Sequence, residues 1–189
     1  MTDEARNILV VAHGRRPDTV GAAARVIGAL RDAGATPVLS SDDRAELDSA
    51  IPGPLATLGA DVAVADIELA IVLGGDGTIL RAAELVREGS APVLGINMGH
   101  VGFLAEIERD DMDEAVRRVI DRDYTVEERL ALQVRIKDRD EQVIYETWAL
   151  NEATVEKASR ERMLEVVIEI DGRPLSSFGC DGIVVSTPT

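Results

Sequence analysis

The glycine-rich segment Gly74–Thr78 (GGDGT) is the part of the chain best suited to chemistry. Glycines at 74, 75 and 77 have no side chains to obstruct the approach of a ligand to the backbone. A helix predicted just beyond them would direct N–H groups and the positive end of its dipole at an anion, so phosphate is the expected ligand. Asp76 lies in the middle of this segment, where its negative charge should repel a bare phosphate. The carboxylate therefore needs an explanation of its own.

Two chemical roles would explain Asp76. It could hold Mg²⁺ bound to a polyphosphate, or it could accept a proton or a hydrogen bond from a substrate hydroxyl. A structural alternative is an Asp that bonds the N–H groups of its own turn. The segment by itself does not choose among the three.

The elements around this segment form a strand, a turn and a helix. Ala70–Leu73 is apolar and uncharged, as is typical of a strand buried on both faces, and apolar residues at helical spacing follow Thr78, which we expect to cap the helix. An earlier strand at Asn7–Ala12, a helix ending at Gly34 and a strand at Pro37–Leu39 form a β-α-β unit. These patterns predict a parallel sheet with right-handed crossovers.

Two polar residues follow other strands of this predicted sheet. His13 comes directly after the first strand, and Asn97 follows the strand Pro92–Ile96. Open α/β sheets bind ligands beyond the carboxyl ends of their strands, so either residue could contact a ligand. Both are also common in loops for purely local reasons.

The hydrophobic pattern changes after Tyr124. Apolar residues then alternate with polar ones from Leu130 to Ile136, segment 143–157 is expected to return as the partner strand, and Asp171-Gly172 predicts a hairpin. We therefore expect an α/β domain over residues 1–122 and an antiparallel domain over 123–189. Four or five strands would leave open edges, so we expect this second domain to be incomplete.

Charge and composition exclude several classes of function. Lys and Arg number 20 against 35 Asp and Glu, and the resulting charge of −15 argues against nonspecific nucleic-acid binding and against adhesion to an anionic membrane. The single cysteine excludes an internal disulfide, and two histidines make no plausible zinc cluster. No apolar run approaches the roughly 20 residues of a membrane-spanning helix, and the amino terminus lacks the features of a signal peptide. We expect a soluble, cytoplasmic protein.

Four motifs in order resemble the NAD kinase family. They are GGDGT, NMGHVGFLAE, LNEATVEK and FGCDGIVVSTPT, and the resemblance runs from about Asn7 to Thr189. It implies a Rossmann-like α/β domain followed by part of an antiparallel β-sandwich that binds NAD. It also implies transfer of the γ-phosphoryl group of ATP, or of polyphosphate, to the 2′-hydroxyl of the adenosine ribose of NAD, with Mg²⁺ or another divalent metal ion. Family members are typically dimers or tetramers, so the resemblance implies a homo-oligomer.

The same resemblance implies roles for individual residues. Asp76 matches the acid usually assigned as proton acceptor from the 2′-hydroxyl, and Gly77 lies beside the NAD. No residue of this chain is implied as a dedicated metal ligand. Gly179 departs from relatives that have Arg at this position, two residues before the matching acid. Five further residues are implied to contact the dinucleotide: Arg81, Asn151, Glu152, Arg162 and Asp181.

Two other functions compete with NAD kinase. A lipid kinase of the diacylglycerol or sphingosine type shares the glycine turn, but it usually shows a GTxND-like segment where this chain has NMGHVGF. A noncatalytic module that binds NAD without phosphoryl transfer is the second alternative. Family members continue beyond the TPT motif, so we expect these 189 residues to catalyse poorly or not at all alone.

Overall fold

The computed structural model describes residues 6–13, 16–99, 104–105, 107–158 and 162–188. The chain divides into two compact units, the first ending at Val126 and the second beginning at Glu127. The sequence places the corresponding boundary after residue 122.

Unit 1 contains a six-stranded sheet in which every neighbouring pair is parallel, in the order β3-β2-β1-β4-β5-β6. The predicted α/β fold with a parallel sheet is therefore confirmed. The edge strands β3 and β6 are too short to show a hydrophobic pattern in the sequence. The strands are β1 (Asn7–Ala12), β2 (Thr36–Leu39), β3 (Ala56–Thr57), β4 (Ile67–Leu73), β5 (Val93–Asn97) and β6 (Ile107–Glu108).

Helices cover both faces of this sheet. They are α1 (Pro17–Asp32), α2 (Ser41–Leu47), α3 (Asp76–Val86) and α4 (Met112–Asp121). The alternating side chains of β1 separate two apolar clusters: Ile8 and Val10 share one with α1 and α4, while Leu9 and Val11 share the other with α3. Within the described part of the chain, no helix is long and apolar enough to cross a bilayer.

Strand β1 lies where the order of the strands reverses: β2 and β3 follow it on one side of the sheet, and β4, β5 and β6 continue on the other side. It pairs with β2 on one side and with β4 on the other, and its pairing with β4 is in continuous register from Ile8–Leu69 to Ala12–Leu73. The carboxyl ends of β1 and β4 therefore flank the topological switch point, where open α/β sheets bind ligands. The glycine-rich segment follows β4 directly, so the fold places it at this position.

Helix α3 begins earlier than the sequence predicts. Thr78 was expected to cap it, but the N-cap residue is Gly75, which has no side chain to make a capping bond. The backbone N–H groups of Thr78 and Ile79 already donate to the Gly75 carbonyl, at 2.9 and 3.1 Å, so helical bonding starts at Asp76. The prediction of a Thr78 cap is wrong, and Asp76 occupies the first turn of the helix.

The described residues of unit 2 form three antiparallel strand pairs, β7-β8, β10-β11 and β9-β12. Segment 143–157 does not return as one partner strand: it is interrupted at Leu150-Asn151, and its second part pairs with β12. The predicted hairpin at Asp171-Gly172 is confirmed, with φ of 52° and 72° at the two turn residues. The strands are β7 (Leu132–Lys137), β8 (Val143–Ala149), β9 (Glu152–Glu156), β10 (Leu164–Ile170), β11 (Arg173–Cys180) and β12 (Gly182–Ser186).

A charged cluster holds unit 1 together at the amino end of the sheet. Arg6 donates to Glu68 at 2.9 and 2.6 Å, and Arg122, just after α4, donates to the same carboxylate at 3.3 and 3.1 Å. Arg6 also donates to the carbonyl groups of Val119 and Ile120 near the end of α4, at 2.9 and 2.6 Å. The hydrogen bonds from Arg6, followed by those from Arg122, lower the pKa of Glu68 to about 2. The cluster thus connects β1, β4 and α4.

This cluster predicts a pH-dependent stability for unit 1. Because the folded pKa of Glu68 is lowered from 4.5 to about 2, its stabilisation is fully present above about pH 4.5 and is lost as the pH falls towards 2. Glu68→Gln should therefore lower the free energy of unfolding by roughly 1–3 kcal/mol at pH 7 and by much less near pH 2. Urea unfolding followed by circular dichroism at 222 nm measures it, because the helices of the described residues all lie in unit 1.

Glu114→Gln is the matched control for that measurement. Glu114 pairs with Arg117 on the exposed surface of α4, at 2.6 Å, and exposed ion pairs contribute little. Equal effects of the two substitutions would show that the Glu68 cluster has no special role in stability.

Candidate active site

The segment Gly74–Gly77, called the glycine turn below, leads from the end of β4 into the first two residues of α3 at the carboxyl edge of the sheet. The Gly74 N–H donates to the carbonyl of Ile96 at 3.0 Å, which fixes the turn against β5. A Cβ atom on Gly74 would lie 2.7 Å from Cβ of Thr78, closer than real contacts allow. Glycine at this position is therefore required by packing.

Gly75 and Gly77 have a different environment. A Cβ atom on either residue would meet no protein atom within 4 Å. Packing within the chain therefore does not require glycine at these two positions, whereas a ligand that approaches the backbone closely would. This agrees with the interpretation of the turn as a binding surface.

Asp76 is half-buried at the start of α3. Its Oδ1 accepts a hydrogen bond of 3.0 Å from the backbone N–H of Leu104, in the segment between β5 and β6. An acid in the first turn of a helix is stabilised by the helix dipole, which accounts for a carboxylate in an otherwise anion-friendly turn. The side chain is thus oriented by a group outside its own turn.

Two other polar residues lie at this edge of the sheet. Asn97 is 2% exposed, and its Oδ1 accepts from the Gly99 N–H at 3.1 Å. Its Nδ2 has no hydrogen-bond partner among the described residues. His13 is exposed, and its Nδ1 lies 3.8 Å from a carboxylate oxygen of Glu46. A ligand contact by either residue stays a prediction. Residues 100–103 of the NMGHVGF segment lie outside the described residues.

Arg81 turns away from Asp76. The two residues are five positions apart on α3, which corresponds to about 140° around the helix and about 7.5 Å along it. The Arg81 guanidinium donates instead to Oδ1 of Asp43 on α2, at 2.5 Å. Unit 1 therefore brings Asp76 and Gly77 together and directs Arg81 towards α2.

Asp43 is a residue that sequence reasoning missed, because the acidic segment around it indicates only surface turns and a short helix and marks no residue as functional. In the structure its side chain is only 2% exposed. Ser40 caps α2 by accepting from the Asp43 N–H at 3.1 Å. The spacing of Ser40 and Asp43 is close to that of a capping box, and this was the available signal for a helix start with an ordered acid.

In unit 2, the predicted contacts lie at two ends of one strand pair. Glu152 pairs with Ser186 at one end of the β9–β12 ladder, and the Asn151 carbonyl accepts from the Thr187 N–H at 3.1 Å. Asp181 precedes β12 at the other end, where its carbonyl accepts from the Lys157 N–H at 3.1 Å and its carboxylate pairs with the Lys157 ammonium. The ladder between them has a length of roughly 13 Å, so only a ligand of at least that length could contact both ends.

The remaining predicted residue of this unit, Arg162, is exposed just before β10. Asn151, Glu152 and Asp181 are exposed as well. Their contribution to binding stays a prediction.

Comparisons with known protein families match both units. The family model of the ATP-NAD kinase N-terminal domain matches residues 55–124, and that of the ATP-NAD kinase C-terminal domain matches residues 150–189.

Individual relatives extend the match over almost the whole chain. An NAD kinase of Leifsonia xyli subsp. xyli is 62% identical over 97% of this chain and 61% of its own length, and one of Thermobifida fusca is 51% identical over 97% and 58%. The crystal structure of yeast NADH kinase complexed with NADH superposes with a TM-score of 0.84 at 22% identity, covering 99% of this chain and 59% of that one. The chain thus spans about three fifths of the length of these relatives.

The two kinds of glycine in the turn predict opposite stability effects. Gly74→Ala should lower the free energy of unfolding by about 1–3 kcal/mol, because its Cβ would collide with Thr78. Gly77→Ala should leave stability unchanged or raise it by up to about 1 kcal/mol, because alanine favours a helix and meets no protein atom there. Urea unfolding followed at 222 nm compares them, and a destabilising Gly77→Ala would contradict the open environment described for this residue.

Proposed function

Because the chain belongs to the NAD kinase family, we propose that this protein transfers the γ-phosphoryl group of ATP, or of polyphosphate, to the 2′-hydroxyl of the adenosine ribose of NAD, giving NADP. The observation that carries the proposal is the position of the Asp76 carboxylate. Asp76 is half-buried in the first turn of α3, and its carboxylate accepts a hydrogen bond from the Leu104 N–H. The neighbouring Gly75 and Gly77 have open space above them.

Asp76 would act on the acceptor hydroxyl. Phosphoryl transfer depends mainly on positioning and on neutralisation of charge, and a ribose hydroxyl is a poor nucleophile until its proton is accepted. A carboxylate whose orientation is fixed by a backbone N–H is suited to that task, since it need not reorganise as the proton is transferred.

The glycine turn would bind the phosphates of the dinucleotide. The first turn of α3 presents backbone N–H groups and the positive end of the helix dipole, and the open space above Gly75 and Gly77 lets a phosphate approach them. This supports a diphosphate lying across the turn, with its ribose near Asp76.

The residues of the chain fit a metal ion carried by the substrate better than one held by the protein. Among the residues that the structure describes, no group of three or more acidic, His or Cys side chains could hold a metal ion. Mg²⁺ is commonly bound by one or two carboxylates together with substrate phosphates, and Asp76 could supply one such carboxylate. When bound, Mg²⁺ would neutralise negative charge on the phosphates.

We propose unit 2 as the beginning of an antiparallel β-sandwich that binds NAD, with dinucleotide contacts from Asn151, Glu152, Arg162 and Asp181. The match of residues 150–189 to the C-terminal family model supports this. The charge of −15 supports a protein without nucleic-acid or membrane partners, and the single cysteine fits a reducing cytoplasm. The family's typical assemblies support a homo-oligomer.

The family matches give no support to a lipid kinase. The noncatalytic alternative is decided by experiment. NAD, ATP and Mg²⁺ are incubated with the 189-residue chain and, separately, with a fusion in which the part of the Leifsonia xyli relative beyond the aligned segment follows residue 189. Formation of NADP by the fusion supports the proposal. Binding of NAD without formation of NADP in the fusion would identify a noncatalytic module.

Asp76→Asn tests the catalytic role in that fusion. If Asp76 accepts the proton, turnover should fall by roughly 10²-fold or more, because general base catalysis contributes about that much, while the fold persists. NADP formation under saturating substrate measures the rate, and circular dichroism at 222 nm checks the fold. Unchanged turnover would remove Asp76 from the mechanism.

Gly77→Ala tests the binding surface. The substitution is sterically neutral within the protein, but a methyl group above the turn should weaken NAD binding by at least about 10-fold if the dinucleotide touches the backbone there. Isothermal titration of the 189-residue chain with NAD measures the affinity. Arg87→Ala, in an exposed residue at the other end of α3, is the control and should leave the affinity unchanged.

A further inference from the structure

Asp43 is connected to the active-site helix although it lies on a different element. It follows the end of β2 by four positions, and the Ser40 cap fixes its backbone at the carboxyl edge of the sheet. The cap thus sets the carboxylate close to the edge at which the glycine turn lies.

The carboxylate of Asp43 has one partner among the described residues. Its Oδ1 accepts from Nη2 of Arg81 at 2.5 Å, whereas its Oδ2 is buried without a hydrogen-bond partner. Burial of an unpaired carboxylate is costly, so the ion pair with Arg81 should persist. The Arg81 side chain is 40% exposed, which leaves other N–H groups of the guanidinium accessible.

We propose that Asp43 is a positioning residue that holds the Arg81 guanidinium at the carboxyl edge of the sheet, ready to bind a phosphate of the dinucleotide over the glycine turn. The inference rests on the proposed function. The backbone of Arg81 lies about 7.5 Å along α3 from that of Asp76, on the side that faces α2. The ion pair with Asp43 directs its long side chain back towards the carboxyl edge of the sheet.

Asp43 has two opposing effects on anion binding. It neutralises part of the positive charge of Arg81, which by itself weakens attraction to a phosphate. It also immobilises a flexible side chain before the ligand arrives, which lowers the entropy cost of binding. A positioning role requires the gain from immobilising Arg81 to exceed the loss from neutralising its charge. Replacement of Asp43 should then weaken anion binding, whereas it should strengthen binding if neutralisation is the larger effect.

The test uses the 189-residue chain with Asp43→Asn and Asp43→Ala. Both should weaken NAD binding in isothermal titration by about 2- to 10-fold, the cost of ordering one long side chain on binding. In the ligand-free protein, NMR of the Arg81 guanidinium should show restricted rotation that the substitutions release. Asn has nearly the same shape as Asp, so Asp43→Asn should fold and give a result even if Asp43→Ala does not fold.

Two further variants isolate the contribution of Arg81. In an Arg81→Gln background, Asp43→Asn should cause no further loss of affinity, because its partner is already gone. Asp42→Asn removes the same charge from an exposed neighbour on α2 and should leave the affinity unchanged.

Three results would overturn the inference. Tighter NAD binding by the Asp43 variants would show that Asp43 only neutralises Arg81. Unchanged affinity with a released guanidinium would show that the position of Arg81 does not matter for binding. If Asp43→Asn weakens NAD binding by the same factor in the Arg81→Gln background as in the unsubstituted chain, Asp43 acts through the fold and not through Arg81. Failure of the proposed function appears separately, as the absence of NADP formation by the fusion described above.

Discussion

The burial of β1 and β4 on both faces is the constraint on which the rest of unit 1 depends. Residues 8–12 and 70–73 are completely inaccessible to solvent, covered by α1 and α4 on one face and by α3 on the other. Since neither face of these strands can bind anything, polar chemistry is confined to their ends. At the carboxyl ends the direction of chain progression reverses, and the glycine turn occupies this position.

Hydrogen bonds and one ion pair give this edge its fixed geometry. The Leu104 N–H orients the Asp76 carboxylate, the Ile96 carbonyl holds Gly74, and Asp43 holds Arg81. Each contact joins segments that are distant in sequence, so the site depends on the complete sheet rather than on the glycine turn alone. The charged cluster around Glu68 fixes the opposite edge of the same sheet.

The sequence predicted the fold correctly where a single hydrophobic pattern determines the local structure. Continuous apolar runs identified the central parallel strands, because a strand buried on both faces is apolar at every position. The start of α3 was predicted wrongly, since a helix capped by glycine at 75 leaves no side-chain signal. Segment 143–157 was also misassigned, because its two halves pair with different strands and the hydrophobic pattern does not show the interruption at Leu150-Asn151. Asp43 was missed because burial of an acid depends on a partner 38 residues away.

We propose that the Asp76 carboxylate faces the ribose of a bound dinucleotide. A crystal structure of the chain with NAD bound tests it most directly. We expect a carboxylate oxygen of Asp76 within hydrogen-bonding distance, about 2.6–3.2 Å, of the 2′-hydroxyl of the adenosine ribose. A dinucleotide bound away from the glycine turn, or with its 2′-hydroxyl out of reach of Asp76, would contradict the account.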